Sequence, residues 1–380
     1  MADKYKRLIF VVNAPEFFLS HRLPLALAAR EAGYEVHVAS ADGAAVEEIR
    51  AEGFPHHIVN VVRSGQNPLI EFKTLIQLVG LFKRLKPDLV HLVTIKPVLY
   101  GGLAARLVGI KCVVAAISGL GTAFVADSAI AKLRKLLITK LYALALNHKR
   151  LAVIFQNPDD REALLSLHAF QPSETRMIRG SGVALADYPH RPEKEGLPIV
   201  VMAARLLKDK GVFEFVEAGK ILRDRGVLVE MRLIGSADPG NVTSVTQQDL
   251  MQWEDEAVVE LLGYCSDIPD QYAAANIVCL PSYYGEGLPK SLVEAAACGR
   301  AVVTTDHPGC RDAITPDVTG LLVPIKDPFA LADAIQKLIE DSELRKRMGE
   351  AGRALAEEAF SIEKVVDHHL QIYREVLGDG

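Results

Sequence analysis

Residues 277 to 299 read IVCLPSYYGEGLPKSLVEAAACG: four apolar residues, a loop holding two glycines, and a helical stretch closed by a third. Ile277 to Leu280 has the composition of a short buried strand, residues 281 to 288 form its loop, and Pro289 suits the first position of a helix, where no backbone N–H is needed. The helix is expected to run to Cys298 and stop at Gly299. A buried strand that passes directly into a helix is one half of a parallel βαβ unit, so this segment sets the class of fold to look for in its surroundings.

The pattern repeats on both sides of it. Ile199 to Met202, Val229 to Ile234, Val258 to Leu262, Ala301 to Thr304 and Leu321 to Val323 are further strand candidates, with helical segments between them. The first half carries candidates at 8–13, 34–39, 57–62, 89–94, 112–117 and 152–156. Most are continuous apolar runs, as a sheet covered on both faces requires, and the connections are long enough for helices, so each half reads as a parallel, doubly wound α/β sheet. Between the halves, Gly180-Ser181-Gly182 and then Pro189, Pro192 and Pro198 among charges read as a linker. Two similar halves imply a cleft, with ligands expected at the carboxyl ends of the strands.

Length and composition agree. A chain of 380 residues, 49% apolar and 24% charged, is too long for one core and suits two globular domains. No stretch reaches the apolar length of a membrane span. The run Leu8 to Val12 after a basic start is too short for a secretory signal and lacks a small-residue cleavage site, so it reads as the first buried strand. Cys112, Cys265, Cys279, Cys298 and Cys310 are odd in number and widely spaced. They point to reduced thiols and a cytoplasmic address, and without CxxC or HExxH no zinc site is expected.

The net charge of −5 conceals an asymmetry: residues 1–190 hold 23 Lys and Arg against 16 Asp and Glu, and residues 191–380 hold 20 against 32. The most basic segment, 132–150, mixes leucines and cations at helical spacing. That pattern describes either a helix lying on an anionic membrane surface or one packed on a sheet with a solvated basic face.

The loop of residues 281 to 288 carries the chemistry. Gly285 and Gly287 let backbone approach a ligand, and the helix start attracts an anion, typically phosphate. Glu286 stands just before that site, and Glu294 lies about five residues into the helix, roughly 7 to 8 Å along its axis. Carboxylates accept paired hydrogen bonds from vicinal hydroxyls, so two of them flanking a phosphate site suit a nucleotide sugar. Each glutamate alone reads better as an ordinary exposed charge; the combination with both glycines and Pro289 points to a site. Arg205 and Lys210, in the loop after the first strand of the second half, can reach a diphosphate there, although either alone is commonly a surface cation.

At these residues the chain resembles the retaining family 4 glycosyltransferases of the GT-B fold. Glu286 and Glu294 within GEGLP and EAAACG match that family's signature, and the resemblance extends through Arg205, Lys210, TGLLVP at 319–324 and Asp327-Pro328 followed by LADAI. It implies two Rossmann-like domains facing a cleft: an acceptor domain over 1–188, a nucleotide-sugar domain over 189–360, and a closing helix over 361–380 that crosses back to the first domain. It implies that Glu286 contacts the donor sugar, that Glu294 holds the ribose hydroxyls, and that Arg205 and Lys210 bind the diphosphate. The backbone at Gly287 and Leu288, leading into Pro289, would cradle sugar and phosphate. PEFFLSHRLPLALAAREAGYEVHVAS and HLVTIKPVLYGGLAARLVGIKCVVAAISGLGTAF look like the subgroup that builds capsule, O-antigen and undecaprenyl-diphosphate-linked glycans, including N-acetylhexosaminyltransferases.

His21 and Arg22 after the first strand, and Lys96 after the fourth, are candidates for an acceptor diphosphate, with capping or surface roles as alternatives. Many relatives carry a histidine after the fifth strand, whereas this chain has Ala116-Ile117-Ser118-Gly119-Leu120-Gly121. Gly119 and Gly121 would admit the donor, and no protein base is assigned. The expected partners are a UDP-sugar, a polyprenyl-diphosphate-linked acceptor and the inner-leaflet membrane surface through 132–150, with no nucleic acid, cofactor or metal. The expected location is cytoplasmic and peripheral to the membrane. A sugar-nucleotide epimerase of the same build and a non-catalytic nucleotide-sugar sensor are the rival readings. A dinucleotide oxidoreductase is disfavoured because Asn13-Ala14-Pro15-Glu16 stands where Gly-x-Gly-x-x-Gly is required.

Overall fold

The computed structural model describes residues 5–61, 68–120 and 139–378. Two compact units divide the chain: Met1–Ser181 with Glu363–Gly380, and Gly182–Ile362. Residues 182–188, assigned to the first domain in the sequence reading, group with the second. The reason is a pair of backbone hydrogen bonds: Val183 N–H donates to the Phe360 carbonyl, and Ile362 N–H donates to the Val183 carbonyl.

The first unit is built on a seven-stranded sheet: β1 (Lys6–Val11), β2 (Tyr34–Ser40), β3 (His56–Ile58), β4 (Leu89–Val93), β5 (Cys112–Ile117), β6 (Arg150–Phe155) and β7 (Thr175–Met177). Its order is β3-β2-β1-β4-β5-β6-β7, and every pairing is parallel. The side-chain period of two sorts β1 between two cores: Ile9 and Val11 join Val113 and Val153 on one face, while Leu8 and Phe10 join Val114 and Ile154 on the other. The closing helix Ile362–Leu377 seals this second face with Val365, Ile372, Tyr373 and Val376.

The second unit holds a six-stranded sheet: β8 (Ile199–Ala203), β9 (Glu230–Ile234), β10 (Glu260–Gly263), β11 (Ile277–Leu280), β12 (Ala301–Thr305) and β13 (Gly320–Val323). Its order is β10-β9-β8-β11-β12-β13, again parallel throughout. Each sheet therefore reverses its strand order once, at β1/β4 and at β8/β11. Such a switch point leaves a crevice beyond the carboxyl ends of the two strands because their connections leave in opposite directions.

Candidate functional site

The second unit's switch point collects the signature residues. β8 ends at Ala203, and Arg205 follows it with its Nη1 3.0 Å from Asp238 Oδ2 in the loop after β9. That loop can lie close because Gly235 has φ +140 and a Cβ there would come within 1.8 Å of the Ala204 carbonyl oxygen. Gly211 closes the Lys208–Lys210 turn at φ +79, and a Cβ on it would meet the Pro281 carbonyl at 2.2 Å. This close approach brings the loop after β8 onto the loop after β11, where Tyr283 N–H donates to the Asp209 carbonyl over 2.9 Å.

The loop after β11 is braced from inside. Ser282 Oγ donates to Glu286 Oε1 at 2.9 Å, and Thr305 Oγ1 donates to the Ser282 carbonyl. Lys210 Nζ stands 2.6 Å from Glu286 Oε1, and both side chains are only 13% exposed. In that partly dehydrated setting the attraction is far stronger than between surface charges. Pro289 occupies the N-cap rather than the first helical position, with φ −63 and ψ 122, and the helix spans Lys290–Ala297. Its extended ψ leaves the chain outside the helix by one residue. Gly299 follows at φ +67 as the stop.

Glu294 lies in that helix with 8% of its surface exposed. Its Oε1 accepts a hydrogen bond from Tyr188 Oη at 2.5 Å and lies 3.5 Å from Lys290 Nζ. Burial raises its carboxyl above the ordinary glutamate value, against the lowering effects of Lys290 and Tyr188. Glu294 and Arg205 line one pocket of about 480 Å³, together with Asp238, Tyr264, Tyr272 and Ser291. Lys210 and Glu286 do not line it. The arrangement offers a buried anionic acceptor and a guanidinium facing the same space, suited to a ligand with hydroxyls near one end and an anion further along. Sequence reasoning missed Tyr188, Ser282 and Asp238; only the Lys290 to Glu294 spacing of i,i+4 was visible locally.

The first-unit candidates are more scattered. Lys96 stands three residues past β4, its Nζ 2.6 Å from Glu71 Oε1. Gly119 lies two residues past β5 with φ +100. Beside it, Ser118 Oγ is buried with no hydrogen-bond partner among the described residues. Gly121 lies outside the described residues. His21 does not directly follow β1, since the helix Pro15–His21 intervenes; its ring stacks on Phe17 at 4.3 Å. Arg22 points into the interior, 2% exposed, and donates to the His21 carbonyl. Burial lowers its pKa to about 10, and burial, with the Arg22 charge as a smaller cause, lowers His91 and His369. That inward course removes its guanidinium from any acceptor. Of the basic segment, 139–150 is described: Tyr142, Ala145 and Leu146 are buried and Lys140 is exposed. That part fits a helix packed on the protein rather than one laid on lipid. Among the described residues no helix is long and apolar enough to cross a membrane, and no cluster of metal-ligating side chains occurs.

Two parallel, doubly wound sheets of seven and six strands define the GT-B class of fold. Solved structures match it over nearly the whole chain. A glycosyltransferase from Rickettsia africae ESF-5 aligns with a TM-score of 0.78 at 19% identity, covering 100% of both chains. Anabaena HepE in complex with UDP aligns with a TM-score of 0.76 at 20% identity, covering 96% and 98%. The family model for glycosyl transferases group 1 matches residues 187–355, and that for glycosyl transferase 4-like domains matches residues 7–157. The chain belongs to this glycosyltransferase family. Among its relatives, the Campylobacter jejuni N,N'-diacetylbacillosaminyl-diphospho-undecaprenol alpha-1,3-N-acetylgalactosaminyltransferase is 28% identical, covering 98% of this chain and 99% of that protein. The Staphylococcus aureus capsular polysaccharide biosynthesis glycosyltransferase CapM is 25% identical over 92% of each.

Proposed function

We propose that this glycosyltransferase moves an N-acetylhexosamine from a UDP-sugar to an undecaprenyl-diphosphate-linked saccharide, with retention of configuration, in the assembly of a surface polysaccharide or glycan. The observation that carries the proposal is the pocket shared by Glu294 and Arg205 at the β8/β11 switch point. Near-full-length similarity to an enzyme named for an undecaprenol-linked acceptor supports the acceptor class.

In this reading Glu294 accepts hydrogen bonds from both ribose hydroxyls and Arg205 engages the diphosphate. Glu286, held by Lys210 and Ser282, contacts the donor sugar. The bond from the anomeric carbon to the diphosphate breaks as the acceptor hydroxyl attacks on the same face. The departing diphosphate oxygen takes that hydroxyl's proton, so no protein base is required. Arg205, Lys210 and the helix start at Pro289, reached through the backbone of Gly287 and Leu288, stabilise the growing charge and supply what a metal would otherwise provide. Lys96 and Gly119 belong to the acceptor and donor approaches. The enzyme works in the cytoplasm at the inner leaflet, where such an acceptor is held.

The test is incubation with a panel of UDP-sugars, with and without undecaprenyl-diphosphate-linked monosaccharides, reading UDP release and products by mass spectrometry. Acceptor-dependent UDP release with an α-linked disaccharide product is expected. A changed free sugar nucleotide without acceptor would overturn the reading in favour of an epimerase. Donor binding without turnover on any acceptor would favour a sensor.

A further inference from the structure

The helix Pro68–Leu85, in the first unit, buries Thr74, Leu78, Leu81 and Phe82 against its core. Its outer face should be polar, as in an ordinary amphipathic helix. It is not: Leu69 is 78% exposed, Phe72 61%, Ile76 55% and Ile70 41%. Single exposed apolar side chains need no explanation, but four within about two turns, three of them (Leu69, Phe72 and Ile76) at the i, i+3 and i+7 spacing of one stripe, form a patch. The cations of the helix, Lys73, Lys83 and Arg84, are exposed as well. Its single acid, Glu71, is turned aside to Lys96 and is 16% exposed in that pair. The outward surface is thus apolar in its first two turns and carries only positive charge.

Its place in the fold adds a second observation. Thr74 Oγ1 donates to the Asn60 carbonyl at 2.6 Å, and Asn60 N–H donates to Gln77 Oε1 at 3.1 Å, so the first turns are tied to the chain just past the carboxyl end of β3. The Lys96–Glu71 pair ties the same turns to the carboxyl end of β4. The patch therefore borders the end of the sheet where the acceptor candidate Lys96 stands.

We propose that the outer face of residues 69–76 is the surface by which this protein docks on an anionic lipid bilayer, with Leu69, Phe72 and Ile76 entering the interfacial region and Lys73 meeting the headgroups. A membrane fits better than another protein because the patch combines bulky apolar side chains with exposed cations that no carboxylate pairs among the described residues, the chemistry of an interfacial helix. The assignment rests on the lipid-linked acceptor of the proposed function, and it moves the contact from the basic 132–150 segment to this helix. Docking here would bring the Lys96 end of the sheet to the leaflet that holds a polyprenyl diphosphate.

The test compares the full chain with the variant Leu69→Ser/Phe72→Ser/Ile76→Ser, with Lys73→Glu, and with Phe329→Ser, which alters an exposed side chain of the second unit. Binding is read by co-sedimentation with phosphatidylglycerol/phosphatidylethanolamine vesicles and with phosphatidylcholine vesicles. Turnover is measured on an undecaprenyl-linked acceptor in vesicles and on a water-soluble short-chain analogue. The triple variant is expected to bind anionic vesicles at least tenfold more weakly and to lose vesicle turnover in proportion, with turnover on the soluble acceptor within twofold of wild type. Lys73→Glu should weaken binding to anionic vesicles only, and Phe329→Ser should change nothing. Unchanged vesicle binding of the triple variant, or a wild type that does not bind vesicles, would overturn the proposal. So would a wild-type dimer that the triple variant converts to monomer in light scattering, which would make the face a self-association surface. If binding falls as expected while no acceptor is turned over, docking stands and the transferase reading fails.

Discussion

Replacing Glu294 by glutamine separates a binding role from a structural one, because the two pull stability in opposite directions. The carboxylate is nearly buried and its pKa is raised, so its charged form is held at a cost in the folded state. A group with a folded pKa above its unfolded value contributes stability that is complete below the unfolded value and is lost as pH rises through the folded one. Above the ordinary glutamate value, Glu294 therefore gives up stability as it ionises. Glutamine keeps an acceptor for the Tyr188 hydroxyl and removes the charge, so the free variant should melt no lower than wild type.

Binding should move the other way. A hydrogen bond to a charged acceptor contributes about 1.5–3 kcal/mol against roughly 0.5–1.5 for a neutral one, and the amide, with its oxygen already engaged by Tyr188, cannot accept from two ribose hydroxyls. A net loss of about 1.5–3 kcal/mol corresponds to UDP binding some 10- to 150-fold weaker. Calorimetric titration with UDP and a thermal melt of the free protein read both sides. Wild-type affinity should also fall as pH drops through the raised carboxyl value, while the variant stays flat. A UDP affinity within twofold of wild type, or a melt lowered by several degrees, would refute the reasoning and leave Glu294 as a structural anchor.

Glu286→Gln should lower turnover by about 100-fold with UDP affinity nearly unchanged, since under the proposed function it loosens the group that would position the donor sugar; steady-state kinetics and UDP titration check this. Asp238→Asn frees Arg205 from a competing partner and should tighten UDP binding by about two- to fivefold, an effect that 0.5 M salt should erase. Gly211→Ala should cost about 2 kcal/mol or more, seen as a lowered thermal midpoint, because φ +79 and the Pro281 carbonyl both oppose a Cβ. His91 and His369 are fully buried, and burial pushes His369 down to about 3 and His91 well below its usual range. Their folded values lie below the unfolded one, so stability is complete above about pH 6.5 and falls below it by about 1.4 kcal/mol per pH unit for each histidine. Urea unfolding between pH 7 and 5 should show that slope, and an unchanged midpoint would show that these histidines protonate in place.

The strands were legible because a sheet covered on both faces needs uninterrupted apolar runs, and Leu8 to Val12, Cys112 to Ile117 and Ile277 to Leu280 supply them. β7, Thr175–Met177, was not, since an edge strand of three partly exposed residues carries no such run. Most strand ends shifted by a residue or two, as at β10, where Gly263 continues the ladder through a register shift, whereas β3 stops at Ile58, four residues before its expected end. The signature glutamates were legible from local spacing. What holds them was not: Tyr188 meets Glu294 across 106 residues, and Asp238 reaches Arg205 across 33. Arg22 shows the other limit. Its local sequence marks a helix boundary but not which way the side chain leaves it, and the core around Tyr373 decides that.

The two cations of the site are each held by a carboxylate, yet the pairs differ in a way that assigns them different work. Arg205 and Asp238 are about one-third exposed, so water screens their attraction and little is lost when a phosphate takes the place of Asp238. Lys210 and Glu286 are 13% exposed, and Ser282 binds the same carboxylate oxygen. Separating them would strand a poorly hydrated charge, which costs several kcal/mol. The first pair is therefore exchangeable and the second is a unit that stays assembled when ligand enters. Under the proposed function, a ligand diphosphate would gain its binding energy mainly at Arg205. Lys210, already partnered, would add its field to the diphosphate while keeping Glu286 fixed, so that under the same proposal charge stabilisation and sugar positioning would come from one rigid element. That division is why Asp238→Asn and Glu286→Gln, each removing one negative charge from a salt bridge, are expected to act on different steps.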